Sequence, residues 1–183
     1  VNHWKEHKPY CKKLGLPEST ARLLEATELF RTGRALDEAG QLDEALIKIR
    51  QALAIFQDLV GENDETTANV YEKIGQILSA IGLYKESLVK HRKSLEIRRL
   101  IFGENNRFTA ISYECIGNVL FYQGRYDDAL IGYGKALTVC NNLFGENHMD
   151  TAMAYKSVGN VLIQKQQFKE ALEILCKAEA IYK

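Results

Sequence analysis

The amino-acid sequence predicts an all-α chain, a solenoid of antiparallel helix pairs. Three observations carry this. A short phrase returns: LVGEN at residues 59–63, IFGEN at 101–105 and LFGEN at 143–147, so that Gly61, Gly103 and Gly145 stand 42 residues apart. Other positions keep the same step: Gly33, Gly75, Gly117 and Gly159; Leu42, Tyr84, Tyr126 and Phe168; Ala45, Ser87, Ala129 and Ala171; Ala52, Ser94, Ala136 and Ala178. Thr67, Thr109 and Thr151, each followed by alanine, make a further series. Finally, the apolar residues inside each unit recur at helical rather than strand spacing. Repetition at such a fixed period is the mark of an array of stacked units.

The elements follow in order. Residues 1–20 read as an N-terminal segment, either the end of a preceding helix or a tail. Residues 21–183 read as one domain of four helical hairpins, at about 21–60, 61–102, 103–144 and 145–183. In the first, RLLEATELFRTGRALDEAG forms the first helix, and Pro17-Glu18-Ser19 looks like its start, a turn earlier than in its counterparts. The third unit shows the pattern most clearly. TAISYECIGNVLFYQG puts Ala110, Tyr113, Ile116, Gly117 and Leu120 on one side, and Gly124 ends the helix. RYDDALIGYGKALTVCNNLF follows, with Tyr126, Ala129, Leu130, Tyr133, Ala136 and Leu137 as its apolar side. Gly145 stops it, and Asp150 or His148 stands at the next helix start, where an aspartate satisfies free N–H groups.

Small residues have a packing reason. Gly117 and Ala129 sit where the two helices of a hairpin should cross most closely, and a larger side chain there would cost roughly 1–3 kcal/mol. One hairpin cannot bury all of its apolar surface, whereas stacked hairpins can. At the far end, Leu172, Leu175 and Ile181 leave an apolar side that calls for a neighbour, either a further unit or a second copy.

Composition narrows the function. Lys plus Arg and Asp plus Glu are both 24, so the formal net charge is zero and there is no long-range pull toward nucleic acid or an acidic membrane surface. Apolar runs are too short to span a bilayer. Four widely spaced cysteines (Cys11, Cys115, Cys140 and Cys176) do not cluster with the histidines, which argues against a metal site and for free thiols in a reducing, cytoplasmic setting. No cofactor motif appears, and GYGKA at 132–136 falls in mid-helix, where small residues serve packing. Nothing resembles a catalytic constellation, so the chain reads as a non-enzyme.

The hairpin pattern Tyr113, Ile116-Gly117, Leu120, Gly124, Tyr126, Ala129, Tyr133 and Ala136-Leu137 resembles the tetratricopeptide repeat. The 42-residue step and the phrases AIFQDLVGEN, EIRRLIFGEN and TVCNNLFGEN are more specific. They resemble the long repeats of kinesin light chains and of nephrocystin-like proteins. The resemblance covers about residues 21–183. It implies a right-handed solenoid whose first helices line an inner, concave face, and an adaptor that binds a protein or peptide there. At the usual Gly-x-x-His-Pro-Asp loop of kinesin light chains, this chain has DET at 64–66, NRF at 106–108 and HMD at 148–150, without proline.

On that inner face the candidate binding residues are Phe30 and Arg34, then Glu72 and Gln76, then Glu114, Asn118, Phe121 and Tyr122, then Lys156, Asn160 and Ile163. The column Arg34, Gln76, Asn118, Asn160 offers long polar side chains to the backbone of an extended peptide. The alternative is an ordinary solvated row. Phe121, Tyr122 and Ile163 offer apolar anchors, although Phe121 could equally pack between units. Glu72 and Glu114 would repel a terminal carboxylate, so the expected ligand has a basic or neutral centre, with Arg34 and Lys156 available for acidic ends. Self-assembly through the C-terminal end, and sensing of a regulatory peptide, are the competing readings.

Overall fold

The computed structural model describes residues 17–182. Residues 1–16, which hold most of the expected N-terminal segment, lie outside the described residues. Eight helices follow in pairs: α1 (Glu18–Glu38) with α2 (Leu42–Val60), α3 (Glu65–Ala80) with α4 (Tyr84–Phe102), α5 (Arg107–Tyr122) with α6 (Tyr126–Phe144), and α7 (Met149–Gln164) with α8 (Phe168–Tyr182). Among the described residues there are no strands. Each second helix packs on the first helix of its own hairpin and on that of the next, while α3 also touches α5 directly. The two largest core clusters run across the units. One joins Ala26 of α1 to Ile97 of α4 through Ile49, Ile74 and Ile77. The next runs from Leu88 of α4 through Val119 and Tyr133 to Val161 of α7. Burial that needs the neighbour is what makes a stack of hairpins cohere.

The first helix is 21 residues long, against 16 for α3, α5 and α7, and it begins directly after Pro17, as its start signal indicates. The turns explain the repeated phrase. Gly61, Gly103 and Gly145 take positive φ (93°, 80° and 84°) as each second helix ends. The carbonyl of each glycine accepts a hydrogen bond of 2.8 Å from the hydroxyl of Thr67, Thr109 or Thr151, all fully buried. Glu62 and Glu104, the glutamates of the first two GEN triplets, accept hydrogen bonds from the hydroxyls of Tyr71 and Tyr113 at 2.8 and 2.5 Å. The phrase is therefore a joint between hairpins. The side chains of Asp64, Asn106 and His148 accept from the backbone N–H two residues on and cap α3, α5 and α7. The last cap is His148, through Nδ1 at 3.1 Å, and Asp150 lies inside the helix as the donor.

Within each hairpin the turn is of the Schellman kind. Gln41, Leu83, Arg125 and Gln167 donate back to the carbonyls of Leu36, Leu78, Leu120 and Leu162. The left-handed position is glycine three times (Gly40, Gly82, Gly124) and Gln166, at φ 61°, in the fourth unit. An L side chain there is sterically penalised. Gln166→Gly should therefore raise the unfolding free energy by about 0.5–1 kcal/mol, part of the relief being lost to glycine's greater unfolded-state freedom. Urea titration measures it, and no gain would mean the turn carries no strain.

The glycine series Gly33, Gly75, Gly117, Gly159 lies under a bulky partner from the second helix of each hairpin. A Cβ at these positions would meet Ile49, His91, Tyr133 and Leu175, at 2.4, 2.7, 2.8 and 2.6 Å. In the third hairpin a Cβ on Gly132 would meet the backbone of Gly117 at 3.2 Å, so glycines stand on both sides of that contact, and Ala129 nearby is fully buried. Gly134, its neighbour in GYGKA, meets nothing within 4 Å. Gly117→Ala should cost about 1–3 kcal/mol through overpacking, whereas Gly134→Ala should gain about 0.5–1 kcal/mol in helix propensity. Equal effects in paired thermal melts would contradict this packing.

Candidate functional site

The four first helices carry the candidate binding residues. Arg34, Gln76, Asn118 and Asn160 are exposed, one on each of α1, α3, α5 and α7. They are not equally free. Asn118 Oδ1 accepts a 2.6 Å hydrogen bond from the Tyr133 hydroxyl, which orients the amide and leaves its NH2 available. Arg34 lies 3.8 Å from Glu38. Lys156 and Ile163 are exposed. Phe30 is half-buried against the first core. Tyr122 is 64 % exposed and stacks on Tyr84, with ring centroids 6.5 Å apart. Phe121 is half-buried and packs on Tyr126 at 5.6 Å.

The two acidic residues have different fates. Glu72 is bound by Arg98 of α4, whose side chain is only 4 % exposed. The same guanidinium donates to Asn69 Oδ1 at 2.8 Å, to Ser112 Oγ at 2.9 Å and to the Phe108 carbonyl at 3.2 Å, and lies over the Phe108 ring. Arg98 thus ties α3 to α5, and the charge of Glu72 is balanced inside the fold instead of standing free to repel a ligand. Glu114 has no such partner. Burial, helped by the nearby Asp150 and opposed by the 3.5 Å hydrogen bond from Ser157, holds its carboxyl above the usual range.

Between α3 and α5 lies a cavity of about 440 Å³. Gln76, Ser79 and Ala80 line one wall, and Cys115, Asn118, Val119 and Tyr122 the other. Tyr84 and His91 of α4 close it from behind. His91 is 2 % exposed, presses on Gly75, and its Nδ1 has no hydrogen-bond partner. Burial first, then the charge of Arg98, lowers its pKa to about 4. Burial likewise pushes the Cys115 thiol up to about 12. A smaller cavity of about 160 Å³ lies between α5 and α7, lined by Ile111, Glu114, Met153 and Cys140 and edged by the 3.0 Å ion pair of Arg107 with Asp150. Among the described residues no cluster of three or more His, Cys, Asp or Glu side chains could hold a metal ion. No helix among them is long and apolar enough to cross a membrane.

Arg98 and His91 escaped the motif search, yet each is visible as an outlier in a repeat column. Position 98 aligns with Phe56, Cys140 and Tyr182, and position 91 with Ile49, Tyr133 and Leu175. A buried cation and a buried imidazole in otherwise apolar or aromatic columns are the signal.

Comparison with known proteins places this geometry. Among solved structures, BtubC (BKLC) from P. vanneervenii superposes with a TM-score of 0.84 at 18% identity, over 98% of this chain and 70% of that one. A putative kinesin light chain from Podosopora anserina with nearly identical TPR-like repeats gives 0.78 at 16% identity, over 98% of this chain and 83% of that one. The apo form of RapI gives 0.78 at 19%, over 97% and 61%. At these identities the likeness is one of fold. No curated protein sequence matches significantly. The family model of the tetratricopeptide repeat matches residues 30–100 and 108–183. With the repeated hairpins, glycine contacts and turn caps described above, the chain belongs to the tetratricopeptide repeat family.

Proposed function

We propose that the chain is a protein-interaction scaffold that holds an extended peptide segment of a partner along the face made by α1, α3, α5 and α7. The observation that carries this reading is the polar column Arg34, Gln76, Asn118, Asn160, exposed at the same register position in all four hairpins. A peptide laid along it would find one hydrogen-bonding side chain per unit, compensating backbone groups that lose water. The fold likeness to kinesin light chain-type repeats is consistent with such a role. Tyr122 and Ile163, both exposed, supply apolar contact, and Lys156 and Arg34 supply positive charge at opposite ends. Selection from a random peptide library, followed by titration of the best binder, tests the reading. Asn118→Ala and Asn160→Ala should each weaken binding about tenfold, the loss of about 1.4 kcal/mol. Undiminished affinity in both variants would move the site elsewhere.

A second reading rests on α8. Phe168 and Leu172 are 63 % and 65 % exposed and Tyr182 is 45 % exposed, an apolar surface suited to a further copy of the chain. Light scattering over a hundredfold concentration range distinguishes the two. Mass that grows with concentration, and that Leu172→Glu abolishes, supports assembly.

A further inference from the structure

The cavity between α3 and α5 has a lining that specifies chemistry more narrowly than the face around it. We infer that it is a subsite for an uncharged carboxamide side chain, asparagine or glutamine, of the peptide held on that face. The inference rests on the groove reading above and assigns one residue of the bound segment.

Three observations point there. First, the lining carries no ionised group at neutral pH. Gln76, Ser79, Asn118 and Tyr122 are neutral by type, the Cys115 thiol is held protonated and the His91 imidazole is held neutral. A carboxylate or ammonium entering it would lose water without meeting a counter-charge in the lining itself. Second, the lining is rich in hydrogen-bonding groups: Gln76, Ser79, Asn118, Tyr122 and the His91 imidazole. An aliphatic side chain would cover these groups without pairing them. Third, the Tyr133 hydroxyl occupies Asn118 Oδ1, so the amide presents donors to an incoming group. A carboxamide offers both an acceptor for those donors and donors of its own, and so it can pair with a neutral imidazole in either tautomer. The exposed Tyr122 ring, backed by Tyr84, gives the flat amide a surface to lie against.

The repeat itself supplies the variant. The position of His91 is Ile49 in the first unit and Leu175 in the fourth, both packed on the matching glycine. His91→Leu therefore removes the imidazole by a substitution that this fold already uses. The probes are N-acetyl-glutamine N-methylamide and its glutamate, leucine and tyrosine counterparts, titrated into the whole chain. The readouts are the imidazole 15N resonances of His91 and the ring protons of Tyr122. The glutamine probe should shift both saturably, with at least tenfold tighter binding than any of the other three. His91→Leu should weaken it at least tenfold while leaving the circular dichroism unchanged. Should that variant unfold, Asn118→Asp, which keeps the acceptor for Tyr133 and removes the donors, should give the same loss. Equal binding of the glutamate, leucine or tyrosine probe, or no response to the glutamine probe, overturns the subsite. A library-selected peptide that still depends on Asn160 would then leave the groove reading standing, whereas failure to select any such peptide would overturn that reading instead.

Discussion

Arg98→Ala is expected to lower the unfolding free energy by about 3–5 kcal/mol, because it leaves a buried carboxylate without its partner. The magnitude follows from the surroundings. The Arg98 and Glu72 side chains are 4 % and 17 % exposed, and the guanidinium also satisfies Asn69, Ser112 and the Phe108 carbonyl. Truncation strands the Glu72 charge and Asn69 Oδ1 together, while Ser112 keeps its 3.2 Å hydrogen bond to the Phe108 carbonyl. Replacing both charges, in Arg98→Met with Glu72→Met, should recover most of the loss, since a buried ion pair and a packed apolar pair are often of similar stability. Urea unfolding of both single variants and the double variant gives the coupling. A loss below about 1 kcal/mol in Arg98→Ala would mean that water already screens the pair, as at an exposed salt bridge. In a linear array, stability is a sum of unit and junction contributions. The single variant should therefore also separate unfolding into two steps, with the second and third hairpins parting first.

Acid should destabilise the protein through His91, well above the range in which ordinary carboxylates titrate. The sign follows from its lowered pKa. Above its ordinary value of 6.5 the imidazole is neutral in folded and unfolded chains alike and makes no pH-dependent contribution. Below it the unfolded chain takes up a proton that the folded chain refuses until about pH 4. Stability is thus lost between pH 6.5 and 4, by up to about 3 kcal/mol at about 1.4 kcal/mol per unit. Glu114, whose carboxyl is held high, works in the opposite direction over its own titration, while the lowered Glu62 adds loss at still lower pH. The difference between wild type and His91→Leu cancels both. Denaturation at half-unit steps from pH 7.5 to 4 should show a slope in the wild type that the variant lacks. Parallel curves would mean that the imidazole is not shielded.

The fold was legible because its determinants are local and repeated. Gly124 and Gly145 end their helices at positive φ, as their places in the pattern require. Gly117 lies against Tyr133 because only a missing side chain lets that ring in. Which polar groups face the solvent was less legible. The exposure of Asn118 follows from helical phase, but Glu72 occupies the phase of a free groove residue and is nonetheless consumed by Arg98. That pairing joins residues 26 apart on different helices, and no periodicity within one helix reports it. The cavity beside His91 depends on the shapes of three helices together, so only the odd residue in its column hinted at it.

The joint of glycine, glutamate and threonine recurs with little change, so at that level one 42-residue cassette could stand for another. Arg98 removes that freedom at one place. Its guanidinium uses Ser112 and the Phe108 carbonyl of the following hairpin, whereas the equivalents of Ser112 elsewhere are Glu28, Val70 and Ala154, the last two without an acceptor. At this junction the second hairpin calls for an acceptor that Val70 and Ala154 cannot supply, so the cassettes are not freely permutable.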